Sequence, residues 1–257
     1  MKINRLGEEK INNQGYLMKI VEYHNSADIV VEFQDTYKAK IHTAYKCFVR
    51  GQVKNPHHPN VYGVGITGNK YLAKVNGKHT KEYTAWQGML KRCFDVKYRE
   101  IHQTYQSIKC CNEWLYFPNF YEWLHSQENF DKWLSGDNWG VDKDILLKDN
   151  KIYAPEFCCL IPRHVNNLFT KTNAKRGSYP VGVYFKKQMN KYCAHISNNK
   201  LKQKHLGYFN TPEEAFQAYK SAKESYIKQI AQEEYDKGNI TKQCYEAMMC
   251  YQVEIDD

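Results

Sequence analysis

The chain has 257 residues, of which 42% are hydrophobic and 25% are charged. This balance is typical of a folded protein and excludes a chain that is disordered throughout. The formal net charge is +9 at pH 7, and the absence of a signal peptide or a long apolar run argues against a secreted or membrane-spanning protein.

The positive charge is concentrated in one part of the chain. Residues 173–232 contain eleven Lys and Arg against only Glu213, Glu214 and Glu224, whereas residues 233–257 carry a net negative charge. Such an asymmetry favours a polyanionic partner over an evenly solvated lysine-rich surface.

The nine cysteines do not form a zinc-binding pattern. They are Cys47, Cys93, Cys110, Cys111, Cys158, Cys159, Cys193, Cys244 and Cys250. None belongs to a C-x-x-C pair, the neighbouring histidines His57 and His58 have no nearby thiol, and the number is odd. We therefore expect structural thiols in a reduced, cytoplasmic protein without zinc.

Residues 1–58 predict a small β-module. Three β-rich runs, Tyr16–Tyr23, Ile29–Phe33 and Lys38–Thr43, are separated by short polar turns. This spacing predicts a small barrel or meander. Docking on nucleic acid or protein and plain packing are both compatible with such a module.

Residues 59–172 predict a central domain with helices followed by a ββα-like run. Tyr83, Trp86, Met89 and Leu90 have helical spacing, which is more typical of a core than of a cofactor site. A second aromatic stripe contains Trp114, Phe117, Phe120, Trp123 and Leu124. The run from Trp139 to Leu168 then fits a strand, a turn, a second strand and a short helix.

Residues 173–257 predict a three-stranded sheet with one helix and a helical tail, completing an α+β fold. The expected strands are Val181–Phe185, Lys191–Ser197 and Lys204–Phe209. Thr211-Pro212-Glu213-Glu214 is a good helix start, because Thr caps well and Pro and Glu suit the first turn. The helix is expected to cover one face of the sheet.

The other face of this sheet is the predicted site for double-stranded DNA. Lysines contact phosphates, while Tyr and His side chains reach base edges. The predicted DNA-binding residues are Tyr184, Lys186, Lys187, Lys191, Tyr192, His195, Ser197, Lys200, Lys202 and Lys204.

The same segment resembles the DNA-binding domain of ethylene-response factors over about 55 residues. The matching residues are Gly182-Val183-Tyr184, Tyr192–Ile196, Leu206–Phe209, Thr211, Glu213–Ala215 and Ala218-Tyr219. The resemblance implies a sheet in the major groove with a helix behind it. This chain departs from the family where arginines and a tryptophan are usual, and Lys is a weaker bidentate reader of guanine than Arg.

The middle segment resembles phage proteins identified as HNH endonucleases over roughly 90 residues. The shared positions are Tyr83, Trp86, Met89, Arg92-Cys93, Cys111, Trp114, Phe117, Phe120, Val141–Asp144, Asn150, Tyr153, Pro155, Cys158 and Asn166-Asn167. Homing endonucleases often join such a unit to the DNA-reading module above. The resemblance implies a catalytic set of Asp142, Asp144, His164 and Asn167, with Mg²⁺ held by Asp142 and Asp144.

The chemistry departs from that family at one position. An HNH site needs a histidine base and a divalent metal, but the usual Asp-His pair aligns with Asp142-Lys143. If both lie on a strand, Asp142 and Asp144 share one face and Lys143 points to the other. His164 is a possible replacement base. The alternative is that Asp142 and Asp144 cap turns or pair with Lys143 and Arg163.

Two functions remain open from the sequence. One is an HNH-like homing endonuclease of a phage or mobile element, with weakened or lost cleavage. The other is a non-catalytic regulator or inhibitor of a host nucleic-acid or defence machine, which binds DNA, a host protein or a nucleoprotein through the same scaffold.

Overall fold

The fold is mixed α+β, as expected, with several small sheets and eight α-helices among the residues described. The computed structural model describes residues 4–170, 179–198 and 201–255, with residues 198 and 201–203 described by their backbone alone. It divides into two compact units, Met1–Leu124 and His125–Asp257. In the described part of the chain, no helix has the length and apolar character needed to cross a membrane.

The first unit contains nine short strands and four helices in the residues described. The strands are β1 Glu9–Ile11, β2 Leu17–Asn25, β3 Asp28–Phe33, β4 Lys40–Thr43, β5 Pro59–Val61, β6 Gly65–Ile66, β7 Lys74–Val75, β8 Lys78–His79 and β9 Lys109–Cys110. The helices are α1 Tyr45–Val49, α2 Lys81–Phe94, α3 Val96–Ile101 and α4 Phe117–His125.

The N-terminal sheet is an antiparallel meander in the order β1-β2-β3-β4. Its core contains Met18, Ile20, Val31 and Phe33 from the sheet, and Phe48 from α1. The three predicted strands are confirmed as β2, β3 and β4. The barrel alternative is not formed in the described residues, because β1 and β4 are the two edges of the sheet. Strand β1 was not predicted, since all three of its residues are exposed and show no alternation.

Helices α2 and α4 pack through the aromatic stripes that the sequence predicted as core. Trp86, Trp114 and Phe117 are almost fully buried, and the Trp86 indole N–H donates to the Trp114 carbonyl at 2.7 Å. Trp123 of the second stripe is half-buried and lies against Trp114, with ring centroids 4.6 Å apart.

The second unit contains six strands and four helices in the residues described. The strands are β10 Trp139–Asp142, β11 Ile152–Tyr153, β12 Cys159–Pro162, β13 Val183–Lys186, β14 Lys191–Asn198 and β15 Leu201–Phe209. The helices are α5 Phe130–Ser135, α6 Arg163–Asn166, α7 Pro212–Asp236 and α8 Lys242–Met249. The predicted strand, turn, strand and short helix correspond to β10, β12 and α6.

One hydrophobic core of the second unit joins residues from several of its elements. It includes Ile161 from β12 and Val165 from α6, Ala194 from β14, and Ala215 and Ile230 from α7. The boundary between the two compact units lies near residue 124. The modules 1–58, 59–172 and 173–257 remain a prediction from the sequence.

Candidate nucleic-acid interface and the HNH-like hairpin

Helix α7 covers the inner face of the three-stranded sheet β13-β14-β15. The predicted start is confirmed as a capping box, in which the Thr211 hydroxyl accepts the Glu214 amide and the Glu214 carboxylate accepts the Thr211 amide. Gly182 has a φ of +76°, and a side chain there would overlap the Tyr219 ring of α7. The close approach of helix and sheet thus depends on a glycine at this position.

The outer face of the sheet carries a row of aromatic and thiol groups. Tyr184, Cys193 and Tyr208 are direct neighbours across the three strands. His195 packs against the Tyr184 ring at 5.3 Å between centroids, and His205 packs against the Tyr208 ring at 4.5 Å. The Cys193 sulfur lies 3.1 Å from His205 Nδ1, so the two halves of the row are connected through Cys193.

Several lysines lie near this row, and among the described side chains they have no acidic partners. Lys186 donates to the Tyr208 hydroxyl at 3.0 Å, and this hydrogen bond raises the pKa of Lys186 above its ordinary value. Lys191 donates to the side-chain carbonyl of Asn210, and Lys187 is exposed in the turn after β13. Lys204 is also exposed, but it lies directly opposite the buried Ile196, so it belongs to the inner face of the sheet and not, as predicted, to the outer face. Among the described side chains, no carboxylate lies within ion-pair distance of these four lysines.

The structure places some, but not all, of the predicted DNA-binding residues on this face. Tyr184 and Lys186 lie on it, with His195, and Ser197 is exposed on β14. Tyr192 was expected there and instead packs against the core, with the Tyr179 and Phe185 rings at 5.4 and 5.0 Å. This corrects the prediction, because Tyr192 alternates in phase with the buried Ala194. Lys200 and the Lys202 side chain lie outside the described residues.

Two residues of the outer face, His205 and Tyr208, were not predicted from the sequence. They are an odd number of residues apart, so regular alternation would place them on opposite faces. The pairing of β14 with β15 shifts by one residue, from Ala194 opposite Gly207 to His195 opposite His205. Gly207 has a φ of +144°, and this bulge brings both rings to one side. Gly207 was the only feature of the sequence that could have indicated this bulge.

In the hairpin formed by β10 and β12, where the sequence resembles an HNH site, Asp142 stabilises the turn that follows β10. Its side chain is buried and Oδ2 accepts the amide hydrogens of Asp144 and Ile145, both at 2.8 Å. Burial is the largest influence on this carboxyl and raises its pKa above the ordinary value of 3.8. Strand β10 ends at Asp142, so the predicted alternation of Asp142 and Asp144 along one strand is wrong.

Lys143 and Asn150 fasten the two ends of the same loop. The buried Lys143 ammonium donates to the Asp144 carboxylate and, at 2.9 Å, to the Asn150 carbonyl. The Asn150 amide donates in return to the carbonyls of Lys143 and Ile152, both at 2.8 Å. Lys143 therefore pairs with Asp144. The expectation that Lys143 points away from Asp144 is wrong, and the alternative in which Asp144 pairs with Lys143 describes this loop.

His164 and Asn167 lie beyond the opposite end of the hairpin from Asp142. Trp139 pairs with Pro162, just before α6, while Asp142 pairs with Cys159, so about 10 Å of strand separates the two ends. His164 Nε2 lies 3.5 Å from the Glu234 carboxylate. His164 also lines an open groove of about 500 Å³ together with Trp139 and Pro162; Asp142 and Asp144 do not line it.

Glu234 is the buried acidic partner of His164. Burial alone raises the pKa of Glu234, but hydrogen bonds from Lys237 and Asn239 and the nearby His164 outweigh it and hold the pKa below its ordinary value. The Lys237 ammonium is 2.7 Å and the Asn239 amide 2.8 Å from the carboxylate. His164 thus lies beside the Glu234 carboxylate, in a contact that joins α6 to α7.

The residues present do not fit a Mg²⁺ site at Asp142 and Asp144. Magnesium needs several inward-pointing oxygen ligands at about 2.0–2.1 Å, but Asp142 is committed to backbone amides and Asp144 to Lys143. Within the described ranges, no group of three His, Cys, Asp or Glu side chains has a geometry that could hold a metal ion. Comparisons of the chain with protein-family models, curated proteins and solved structures gave no match.

Proposed function

We propose that this protein binds double-stranded DNA through the outer face of the sheet β13-β14-β15 and does not cleave it efficiently. The observation that supports binding most directly is a group of lysines, without carboxylate partners among the described side chains, beside the exposed Tyr184 and Tyr208 rings on a sheet whose other face is closed by α7. A face of this kind offers cations to phosphates and ring edges to bases.

The geometry favours entry of the sheet into the major groove. That groove is about 12 Å wide and admits a β-structure as well as a helix. Tyr184 and Tyr208, at 43% and 39% exposure, flank Cys193 from the two outer strands of the sheet. Lys186 is the last residue of β13, and Lys191 is the first residue of β14. We expect the lysines to supply most of the affinity and the rings to supply a modest sequence preference.

The hairpin favours a binding protein over a nuclease. The aligned position of the histidine base is the buried Lys143, whose ammonium is already used by Asp144 and Asn150. In the phage or mobile-element setting that the HNH-like pattern suggests, such a protein would act as a regulator, or as an inhibitor of a host nucleic-acid machine.

The test is a salt titration of duplex binding with the Lys186→Ala, Lys187→Ala, Lys191→Ala triple variant. Each lost phosphate contact reduces the slope of log K against log salt by about 0.9, so the triple variant should flatten it by about 2.7. The matched control is Lys151→Ala, Lys228→Ala, Lys242→Ala, which removes the same charge from exposed positions off this face.

Fluorescence anisotropy with a labelled duplex gives both slopes. The DNA site would lie elsewhere if the triple variant kept the wild-type salt slope. The same conclusion would follow if the salt slope of the control variant fell as much as that of the triple variant.

A further inference from the structure

The first unit carries its own basic surface, in a part of the chain without a single acidic residue. Between Asp35 and Glu82 there are nine Lys and Arg and no Asp or Glu. Four of the nine cations, Lys70, Lys74, Lys78 and Lys81, fall in the last twelve residues of this stretch, where the chain forms the hairpin β7-β8.

The hairpin is a two-stranded ribbon that is exposed along its whole length. All six residues from Lys74 to His79 are exposed, including Val75 at 51%. Asn76 and Gly77 form the turn with φ values of 50° and 76°, the combination that matches the twist of a tight β-hairpin. No carboxylate among the described side chains is paired with Lys74 or Lys78.

The base of the hairpin is firmly attached to the unit. The Lys70 ammonium is 2.5 Å and the Tyr71 hydroxyl 3.2 Å from the Glu122 carboxylate of α4, and the Tyr71 ring stacks on Tyr121 at 3.9 Å. At the other end, the Thr80 amide donates to the Ala73 carbonyl, and the Thr80 hydroxyl caps α2. The Glu122 carboxylate is therefore already paired with Lys70, and the projecting part is anchored on both sides.

The ribbon carries a lysine on each of its faces. Lys74 pairs with His79 and Val75 pairs with Lys78, and directly paired residues of a ribbon share a face. A groove of B-form DNA has a phosphate wall on either side, so a ribbon with cations on both faces can contact both walls. A flat acidic protein surface would engage only one of them, and the major groove of A-form RNA is too narrow to admit a ribbon.

We propose that the hairpin β7-β8 is a second DNA contact that enters the major groove, with Lys74 and Lys78 on opposite phosphate walls. The choice of duplex DNA as the partner rests on the proposed function, but the contact itself does not involve the sheet β13-β14-β15. The chain would thereby hold DNA through both of its compact units.

The test compares Lys74→Ala, Lys78→Ala in the full chain with the control Lys97→Ala, Lys109→Ala, which removes two exposed lysines of the same unit. Loss of two phosphate contacts should reduce the salt slope by about 1.8, so that the loss of affinity is about twelve-fold larger at about 50 mM than at about 200 mM salt. The control should keep the wild-type slope. Thermal melts should agree for all three proteins, because the changed side chains are exposed.

The outcomes separate this inference from the sheet proposal. A hairpin variant that binds like its control overturns the inference, whatever the sheet variant does. A hairpin variant that loses affinity while the sheet triple variant does not supports the inference and overturns the proposed function. An equal loss with an RNA duplex of the same sequence overturns groove entry, and a wild-type chain that does not bind duplex DNA overturns both.

Discussion

The residues of the motif that resembles an HNH site make hydrogen bonds that stabilise one loop of this chain. The sequence identified Asp142, Lys143 and Asn150 as one motif, and they do lie together in one loop. It did not determine their bonding, because a carboxylate that caps a turn and one that binds a metal have the same one-letter pattern. The buried position of Lys143 was equally invisible, since it depends on the loop folding back at Asn150.

The turn-capping role of Asp142 predicts that Asp142→Asn is tolerated at neutral pH. An amide oxygen can still accept both backbone amides, and the amide does not ionise. Because burial raises the pKa of Asp142, the folded state binds its proton more tightly than the unfolded state, and wild-type stability falls as pH rises from 3.8 through the raised pKa. The variant lacks this loss, so it should be at least as stable as wild type at pH 7.

Urea unfolding between pH 3.5 and pH 7 measures this difference. The advantage of Asp142→Asn should shrink as the pH is lowered, whereas Asp137→Asn, at an exposed position, should follow the wild type throughout. A variant that is strongly destabilised at pH 7 would mean that the charge of Asp142 is required.

At the level of elements, regular patterns were predictable and irregular ones were not. The start of α7 was predicted from Thr211-Pro212-Glu213-Glu214, because capping depends on local chemistry. The three strands of the sheet were predicted within a few residues. The bulge opposite His195 was not, so the composition of the outer face was predicted for β13 and for part of β14, but not for β15.

The packing of α7 on the sheet predicts that Gly182→Ala is strongly destabilising. The new methyl group would meet the Tyr219 ring at 2.1 Å, and the positive φ disfavours any side chain. The loss in the free energy of unfolding should be about 2 kcal/mol or more. Gly140→Ala is the matched control, because its methyl group meets no atom within 4 Å. Equal denaturation midpoints for the two variants would contradict this account of the interface.

At the level of the whole molecule, the charge distribution was more informative than its total. Two regions are strongly basic, residues 173–232 and the acid-free stretch between Asp35 and Glu82, while the rest of the chain has a net negative charge. The division into two compact units at Leu124 was not predictable, because the shared core of the second unit joins residues from Ile145 to Val253 that are far apart in sequence.

The commitment of Asp142 to backbone amides, and of Lys143 to Asp144 and Asn150, predicts binding without efficient cleavage. Supercoiled plasmid incubated with the protein and Mg²⁺ or Mn²⁺ should be retarded in a gel at low salt but not nicked beyond the protein-free control. Restoring the motif with Lys143→His should not restore cleavage, because Asp142 stays committed to the Asp144 and Ile145 amides. Rapid nicking that is lost in Asp142→Ala would reverse this conclusion.

The most direct measurement of the central claim is cross-linking from the outer face itself. A photoreactive phenylalanine analogue replaces Tyr208 in one protein and Ser221, an exposed residue of α7, in another. Irradiation of each protein with a labelled duplex should give a covalent DNA adduct from position 208 and none from position 221. Adducts from position 221 alone, or from neither position while the protein is fully bound, would contradict DNA binding through the sheet.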